Sequence, residues 1–457
     1  MAAREHCAVI GGGMLGMTLA HRLRLAGRDV TLIEAAQNLG GLASAWRLGD
    51  VTWDRHYHVT LSSDTELRSL LGELGLEREL QWVTTKTGFY TDGAFHSMSN
   101  VPEFIAFAPL GLVDKARLAA TILHASRVRR WEELEEISVS DWLARLSGQR
   151  TFEKIWLPLL RAKLGENYRV TSAAFIWAVI ARMYAARRSG LKREQFGYVP
   201  GGYARVLESF EHKLRAEGVR LVVGTPVARV RACNEAGVAV AFADGREELF
   251  DRATITVAAP LAAALCSQLN DNELYRLRGI KYQGIICASL LLRRPLLGFY
   301  VTNITDGWVP FTAVIEMSAL VDRAQFGGKS LVYLPKYLAS DDPAFALADE
   351  QIETNFVRAL ERMYPGFSRE DVLSFRISRV RYVLPISTLG YSKRLPPMQT
   401  SVPGISMVNS AHIVNGTLNV NETVRLANSA ATSLCQPVAG DCRGRLENRP
   451  VADLTNA

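Results

Sequence analysis

Near the start of the chain, Gly11-Gly12-Gly13-Met14-Leu15-Gly16 has the G-x-G-x-x-G spacing of a turn that can hold a pyrophosphate. Each position has a mechanical reason. Gly11 allows the tight turn, Gly13 lets the backbone approach the phosphates, and Gly16 lets a helix pack closely on a strand. Met14 and Leu15 open that helix, whose N-terminus stabilises phosphate charge. Eighteen residues beyond Gly16, Glu34 supplies a carboxylate that can accept from ribose hydroxyls and favours a free 2′-OH over a 2′-phosphate. The chemistry these residues offer is dinucleotide binding.

Such residues work only if secondary structure presents them together. Cys7–Ile10 reads as a short buried strand, Met17–Ala26 as a helix stopped by Gly27, and Val30–Glu34 as a second strand. This is a complete βαβ unit with its acid in register, which a glycine-rich loop without a ligand would not need.

Gly40-Gly41-Leu42 follows Glu34 closely, and here the chain resembles the flavoprotein group of amine oxidases, phytoene desaturases and protoporphyrinogen oxidase. The resemblance implies FAD, with Gly40, Gly41 and Leu42 among its contacts. Asp54-Arg55-His56-Tyr57-His58 is similar to the group's Asp-x-Gly-x-His stretch, with His56 where glycine is expected. Tyr198 to Glu208, with its Gly201-Gly202 pair, resembles the turn that returns the chain to the FAD domain. The position matching Val227 gives the adenine a backbone contact in that group. Asn409-Ser410 stands where the group commonly has Gly-Asp beside the ribityl-pyrophosphate region. The helix opened by Asn419, with Asn421 in its first turn, would point its N-terminus at the flavin N1/O2 side. His58 is the first candidate to orient substrate or move a proton, and Tyr391 the second. Arg161, Lys163, Lys336, Tyr337, His412 and Asn415 are further candidates, each also readable as packing or surface.

The expected fold is α/β: a Rossmann-type, glutathione reductase-like FAD-binding domain with an α+β substrate domain inserted in two segments. Residues 1–95, 196–279 and 396–435 would form the discontinuous FAD domain, and 96–195 and 280–395 the substrate domain. Helices are expected over Pro102–Trp131, Val139–Leu146, Thr151–Leu164, Ser172–Arg188 and Asp349–Met363. Strands are expected over Ile286–Leu292, Ser330–Leu334 and Val372–Val383. Residues 436–457 read as a polar, mobile tail.

Composition bounds the rest. The 457 residues are 48% hydrophobic and 22% charged, a globular composition long enough for two domains. With 53 basic against 46 acidic residues the surface is mixed, and no nucleic-acid partner is expected. Six scattered cysteines show no metal-ligand spacing and read as cytosolic thiols, so no metal is expected. Cys435 falls beyond the C-terminal capped helix, so the resemblance implies non-covalent FAD. No second G-x-G-x-x-G occurs, which leaves oxygen, a quinone or an external carrier as electron acceptor. Phe104–Val113 beside Arg127, Arg129 and Arg130, and the basic Arg182–Arg193, suit a peripheral membrane contact and a lipid-like substrate; a core helix flanked by solvated charge fits the same pattern. The expected activity is dehydrogenation of a C–N or C–C bond of a small molecule, either an amine or a lipid-like compound. The alternative is a UDP-galactopyranose mutase-like enzyme, with Arg182, Arg187 and Arg188 on a diphosphate.

Overall fold

Five short strands lie parallel in the order Arg220–Val222, Asp29–Ile33, His6–Ile10, Arg252–Ile255 and Ile405–Met407. Their apolar runs fit a sheet covered on both faces: Ala8, Val9 and Leu32 have no exposed surface. On one face lie the helices Met14–Leu25, Gly202–Ala216 and Val420–Cys435. On the other lie a three-stranded antiparallel meander (Val227–Ala232, Val238–Phe242, Glu247–Phe250) and the helices Ala259–Leu265 and Asp271–Arg278. Because the strands are parallel, Gly11, Glu34, Thr256 and Val408 all leave the sheet at its carboxyl edge, where ligands of such sheets bind. The computed structural model describes residues 4–188, 195–233, 237–414 and 417–436. The candidate Asn415, the cysteine at 442, the basic residues at 192–193, the tail beyond 436 and the side chains of Arg187 and Arg188 lie outside that description.

A second sheet has seven strands, in the order Val372–Pro385, Tyr282–Leu292, Ser330–Ala339, Ala313–Glu316, Val301–Ile304, Thr87–Thr91 and Ala94–Ser97. The helix Asp349–Met363 packs one face through Ile352, Phe356 and Leu360. The other face, with Ile285, Cys287 and Tyr333, meets the segment that follows the strand Val51–Asp54. The helices Leu112–Ala125, Val139–Ser147, Leu157–Leu164 and Ala173–Arg188 make a cap with its own core around Trp142 and Leu143.

Three expectations change. Thr87–Thr91 pairs in parallel with Val301–Ile304, so residues 87–95 build the second sheet rather than the end of the cofactor-binding segment. The helix expected over Pro102–Trp131 is two helices, Val101–Ala106 and Leu112–Ala125, because Pro109 and Gly111 break it while Phe107 and Leu110 turn into the core. The helix expected over Thr151–Leu164 widens to a π-turn at Phe152–Trp156, just ahead of Pro158, which has no N–H to give.

Candidate active site

The glycine loop is built as its spacing implies. Gly11 has φ of 112°, and a Cβ there would lie 2.6 Å from Thr256 Oγ1. A Cβ on Gly16 would sit 1.8 Å from the Gly11 carbonyl oxygen, so that position admits no side chain. Gly13 is different: the nearest atom to its Cβ position is Gly41 Cα at 3.9 Å. The protein's own packing does not forbid a side chain at Gly13, so its bareness serves space outside the loop. Gly13 also caps the helix Met14–Leu25 with no side-chain hydrogen bond, leaving the first-turn N–H groups of Met14 and Leu15 for an anion. Glu34 is held in place by the N–H groups of Gly12, at 2.6 Å, and Ala36, at 2.8 Å. A carboxylate has lone pairs beyond these two for hydroxyls.

The Gly40–Leu42 turn lies against this loop: Gly40 N–H donates to Gly12 O at 2.8 Å. Leu42 gives its carbonyl to His56 Nδ1 at 3.0 Å, and Arg55 N–H donates to Ser44 O at 2.9 Å, which joins the turn to the Asp54–His58 segment. Thr225 N–H donates to the Glu34 carbonyl at 3.1 Å, so Val227 opens the meander beside the ribose acid. At the carboxyl end of the last strand Asn409 is fully buried; its Oδ1 accepts from Ala411 N–H, while its Nδ2 has no partner. Ser44 Oγ, Arg55 Nε and His56 Nε2 are likewise buried and unpaired. Buried polar atoms are nearly always satisfied, so unpaired ones at a phosphate cradle mark a polar ligand's path. A dinucleotide cofactor therefore fits these residues. Sequence reasoning missed Ser44, Arg55 and Thr256, whose roles depend on neighbours far along the chain; Thr256 Oγ1 donates to Ile10 O at 2.9 Å and braces the loop.

Several candidates take other roles. Tyr391 is buried and its hydroxyl donates to Ala411 O at 2.8 Å, so it braces the Asn409 turn and has no proton free for catalysis. Asn421 Oδ1 accepts from the N–H groups of Glu66 and Leu67, at 3.0 and 3.1 Å, so its side chain caps the helix Thr65–Glu73 instead of reaching a cofactor. Ser410 hydrogen-bonds the Tyr282 phenol. His412 is held between Asn409 and the Pro396 carbonyl. Arg182 pairs with Asp64 at 2.8 Å, which removes it from the diphosphate set. Arg161 is exposed and lies 3.8 Å from Glu166.

His58 is the largest correction. Its ring packs on Tyr203 at 4.9 Å, and its Nδ1 lies 3.9 Å from Asp54 Oδ2. With Trp53, Asp54 and Tyr203 it lines a cavity of about 20 Å³, a volume suited to one water and far too small for a substrate. Burial, with His56 beside it, pushes His58 down to about 3, so the ring is neutral and a weak base. Burial pushes Asp54 up to about 8, opposed by the Tyr203 N–H that donates to Oδ1 at 2.7 Å. His58 Nδ1 has no hydrogen-bond partner among the described residues.

Beyond His58, where the cap helix Leu157–Leu164 meets the strand Ser330–Ala339, several side chains stay only partly buried. Tyr57, Met183, Tyr337, Val380 and Val383 pack on the core there yet keep part of their surface, as does Lys163. Tyr57 Oη and Tyr337 Oη are 3.0 Å apart. This crevice has an aromatic and aliphatic wall.

A parallel sheet with a glycine loop at its carboxyl edge, beside a second, mostly antiparallel sheet, is an arrangement that suits a dinucleotide-dependent oxidoreductase. Residues 15–434 match the model of the flavin containing amine oxidoreductases, and the chain belongs to that family. It is 29% identical to coproporphyrinogen III oxidase of Mycobacterium bovis over 95% of this chain and 98% of that one. Among solved structures, a chain described as a protoporphyrinogen oxidase from Exiguobacterium sp. 255-15 superposes with a TM-score of 0.75 at 20% identity, covering 95% of this chain and 99% of that one. Reduced UDP-galactopyranose mutase superposes at 0.71 with 14% identity, covering 94% of each chain, a likeness of fold alone. The protein is an FAD-dependent oxidoreductase. FAD supplies hydride acceptance. Gly13, Met14 and Leu15 would hold its phosphates and Glu34 would accept from its ribose, while the Tyr57 and Tyr337 hydroxyls pair with each other at 3.0 Å.

Proposed function

We propose that the protein dehydrogenates a C–C or C–N bond within an apolar carbon framework, taken up at a membrane surface. The observation that carries this reading is the exposed apolar face of the two short cap helices: Val101, Ile105, Leu112 and Val113 are 59% to 77% exposed. Arg117 stands exposed on the second helix, and Arg127, Arg129 and Arg130 are exposed beyond its far end, about 20 Å along the axis from Leu112. An exposed apolar face followed along the same element by arginines suits the acyl and anionic headgroup layers of a bilayer. The aromatic crevice supports the same reading, since no carboxylate among the described residues lies within ion-pair distance of Lys163, the cation on its wall; an amine substrate's ammonium would meet a like charge there. The relatives named for coproporphyrinogen, a carotenoid ring and phytoene fit this chemistry better than an amine. The glutathione reductase-like arrangement of the FAD domain, and FAD held without a covalent bond, belong to the same reading. Cys435 is the last residue of the helix Val420–Cys435 rather than beyond it as expected, about 22 Å along the axis from the helix's first residue.

The test is anaerobic mixing of the yellow protein with coproporphyrinogen III, phytoene, putrescine and UDP-galactose, following the flavin absorption band. Bleaching by a porphyrinogen or polyene and not by the amine is expected. Bleaching by putrescine alone would overturn the reading.

A further inference from the structure

Lys163, near the end of the helix Leu157–Leu164, places Nζ 3.5 Å from the centre of the Tyr337 ring. It keeps part of its surface, and burial alone pushes its amine down to about 7. Tyr337 stands opposite Ile285, and Gln283, two residues before Ile285 on the same strand, shares that sheet face. Gln283 has no exposed surface and its Nε2 has no partner. Its Oε1 receives one long contact, 3.4 Å from Asn167 Nδ2. The Cβ position of Gly165, two residues after Lys163, is 3.4 Å from Gln283 Nε2, which brings the amide to the same end of the crevice as the lysine. Two donors thus lie along one stretch of the helix end, one of them cationic, and no hydrogen-bond acceptor for either is found among the described residues.

Resting on the reading of the crevice as a substrate chamber, we propose that Lys163 and Gln283 bind a carboxylate of the substrate, anchoring one end of an amphipathic acid while its apolar body lies along Tyr57 and Tyr337. A carboxylate accepts from both donors at once and neutralises the cation. The unpaired Gln283 amide is thereby satisfied, as a buried polar group must be. The Tyr337 ring holds the ammonium by a cation–π contact until the acid arrives. No bond is made or broken in this step.

The experiment is calorimetric titration of the FAD-loaded protein with octanoate and with octanol at pH 6.5, a readout that does not depend on turnover. Lys163→Met should weaken octanoate by about 10- to 100-fold, the scale of a lost charged hydrogen bond, and leave octanol within about twofold. Gln283→Leu should weaken octanoate by a smaller factor. Melting temperature and flavin content, measured on the same samples, establish that the variants are folded. Equal loss of octanoate and octanol, unchanged octanoate affinity in Lys163→Met, or a wild-type protein that binds octanol but not octanoate would each overturn the carboxylate site. Failure of octanol to bind the wild type as well would overturn the apolar chamber itself.

Discussion

Asp54 shows how one buried carboxyl sets a measurable property. It lies inside the molecule, its carboxyl accepting from the Tyr203 backbone N–H, and burial holds it up at about 8. A carboxyl raised on folding is most favourable below its ordinary value of 3.8, and its contribution is lost as pH rises toward 8. Asp54→Asn keeps the Oδ1 acceptor for Tyr203 and removes the ionisation. The variant should therefore match the wild type in urea unfolding near pH 4 and exceed it increasingly as pH rises to 8, by about 5 kcal/mol for a shift of this size. A difference that stays constant across that range would show that Asp54 does not titrate there. The Asp-x-x-x-His spacing was visible in the sequence, but the small cavity that Trp53 and Tyr203 build around His58 was not.

The elements divide by how local their determinants are. The βαβ unit was legible because what each glycine must do is set within a few residues, and Asp349–Met363 because its apolar period is unbroken. The crevice was not legible: Tyr57 and Tyr337 meet across 280 positions, and no spacing rule links Lys163 to Gln283. Long-range contacts also join helices. His21 is 1% exposed between Glu73 at 2.8 Å and Glu217 at 2.7 Å, tying the helix Met14–Leu25 to Thr65–Glu73 and to the end of Gly202–Ala216. Arg22 also bonds Glu73, and these partners, Arg22 first, pull its carboxyl down to about 2. A carboxyl lowered on folding stabilises above its ordinary value of 4.5, and that contribution disappears as pH falls toward 2. Glu73→Gln should cost about 1 kcal/mol at pH 7, modest because the pair is partly solvated. The gap from the wild type should narrow as unfolding is repeated at pH 4, 3 and 2. A gap that widens on acidification would contradict the assignment.

The molecule as a whole is asymmetric: the phosphate cradle sits at the edge of the parallel sheet, while the exposed apolar helices sit on the cap. The two parts of the proposed path, membrane face and crevice, are joined through the cap core, since Phe107 and Leu110 between the two short helices pack with Ile155 and Leu159, which leads into the helix bearing Lys163. No helix among the described residues is long and apolar enough to cross a membrane, so attachment would rest on the surface patch. Leu112 and Val113, 77% and 66% exposed, contribute little to the protein's own core. Replacing both by Asp should leave melting temperature and flavin content unchanged, as expected of exposed positions. Co-sedimentation with vesicles of phosphatidylcholine and phosphatidylglycerol should fall at least about tenfold, because two acyl-layer anchors become anions facing an anionic surface. Wild-type binding should weaken with added salt and be weaker on pure phosphatidylcholine, since the arginines act over about a Debye length. Equal sedimentation of the wild type and the double variant would remove the membrane from the proposed path and leave substrate to enter the crevice from water.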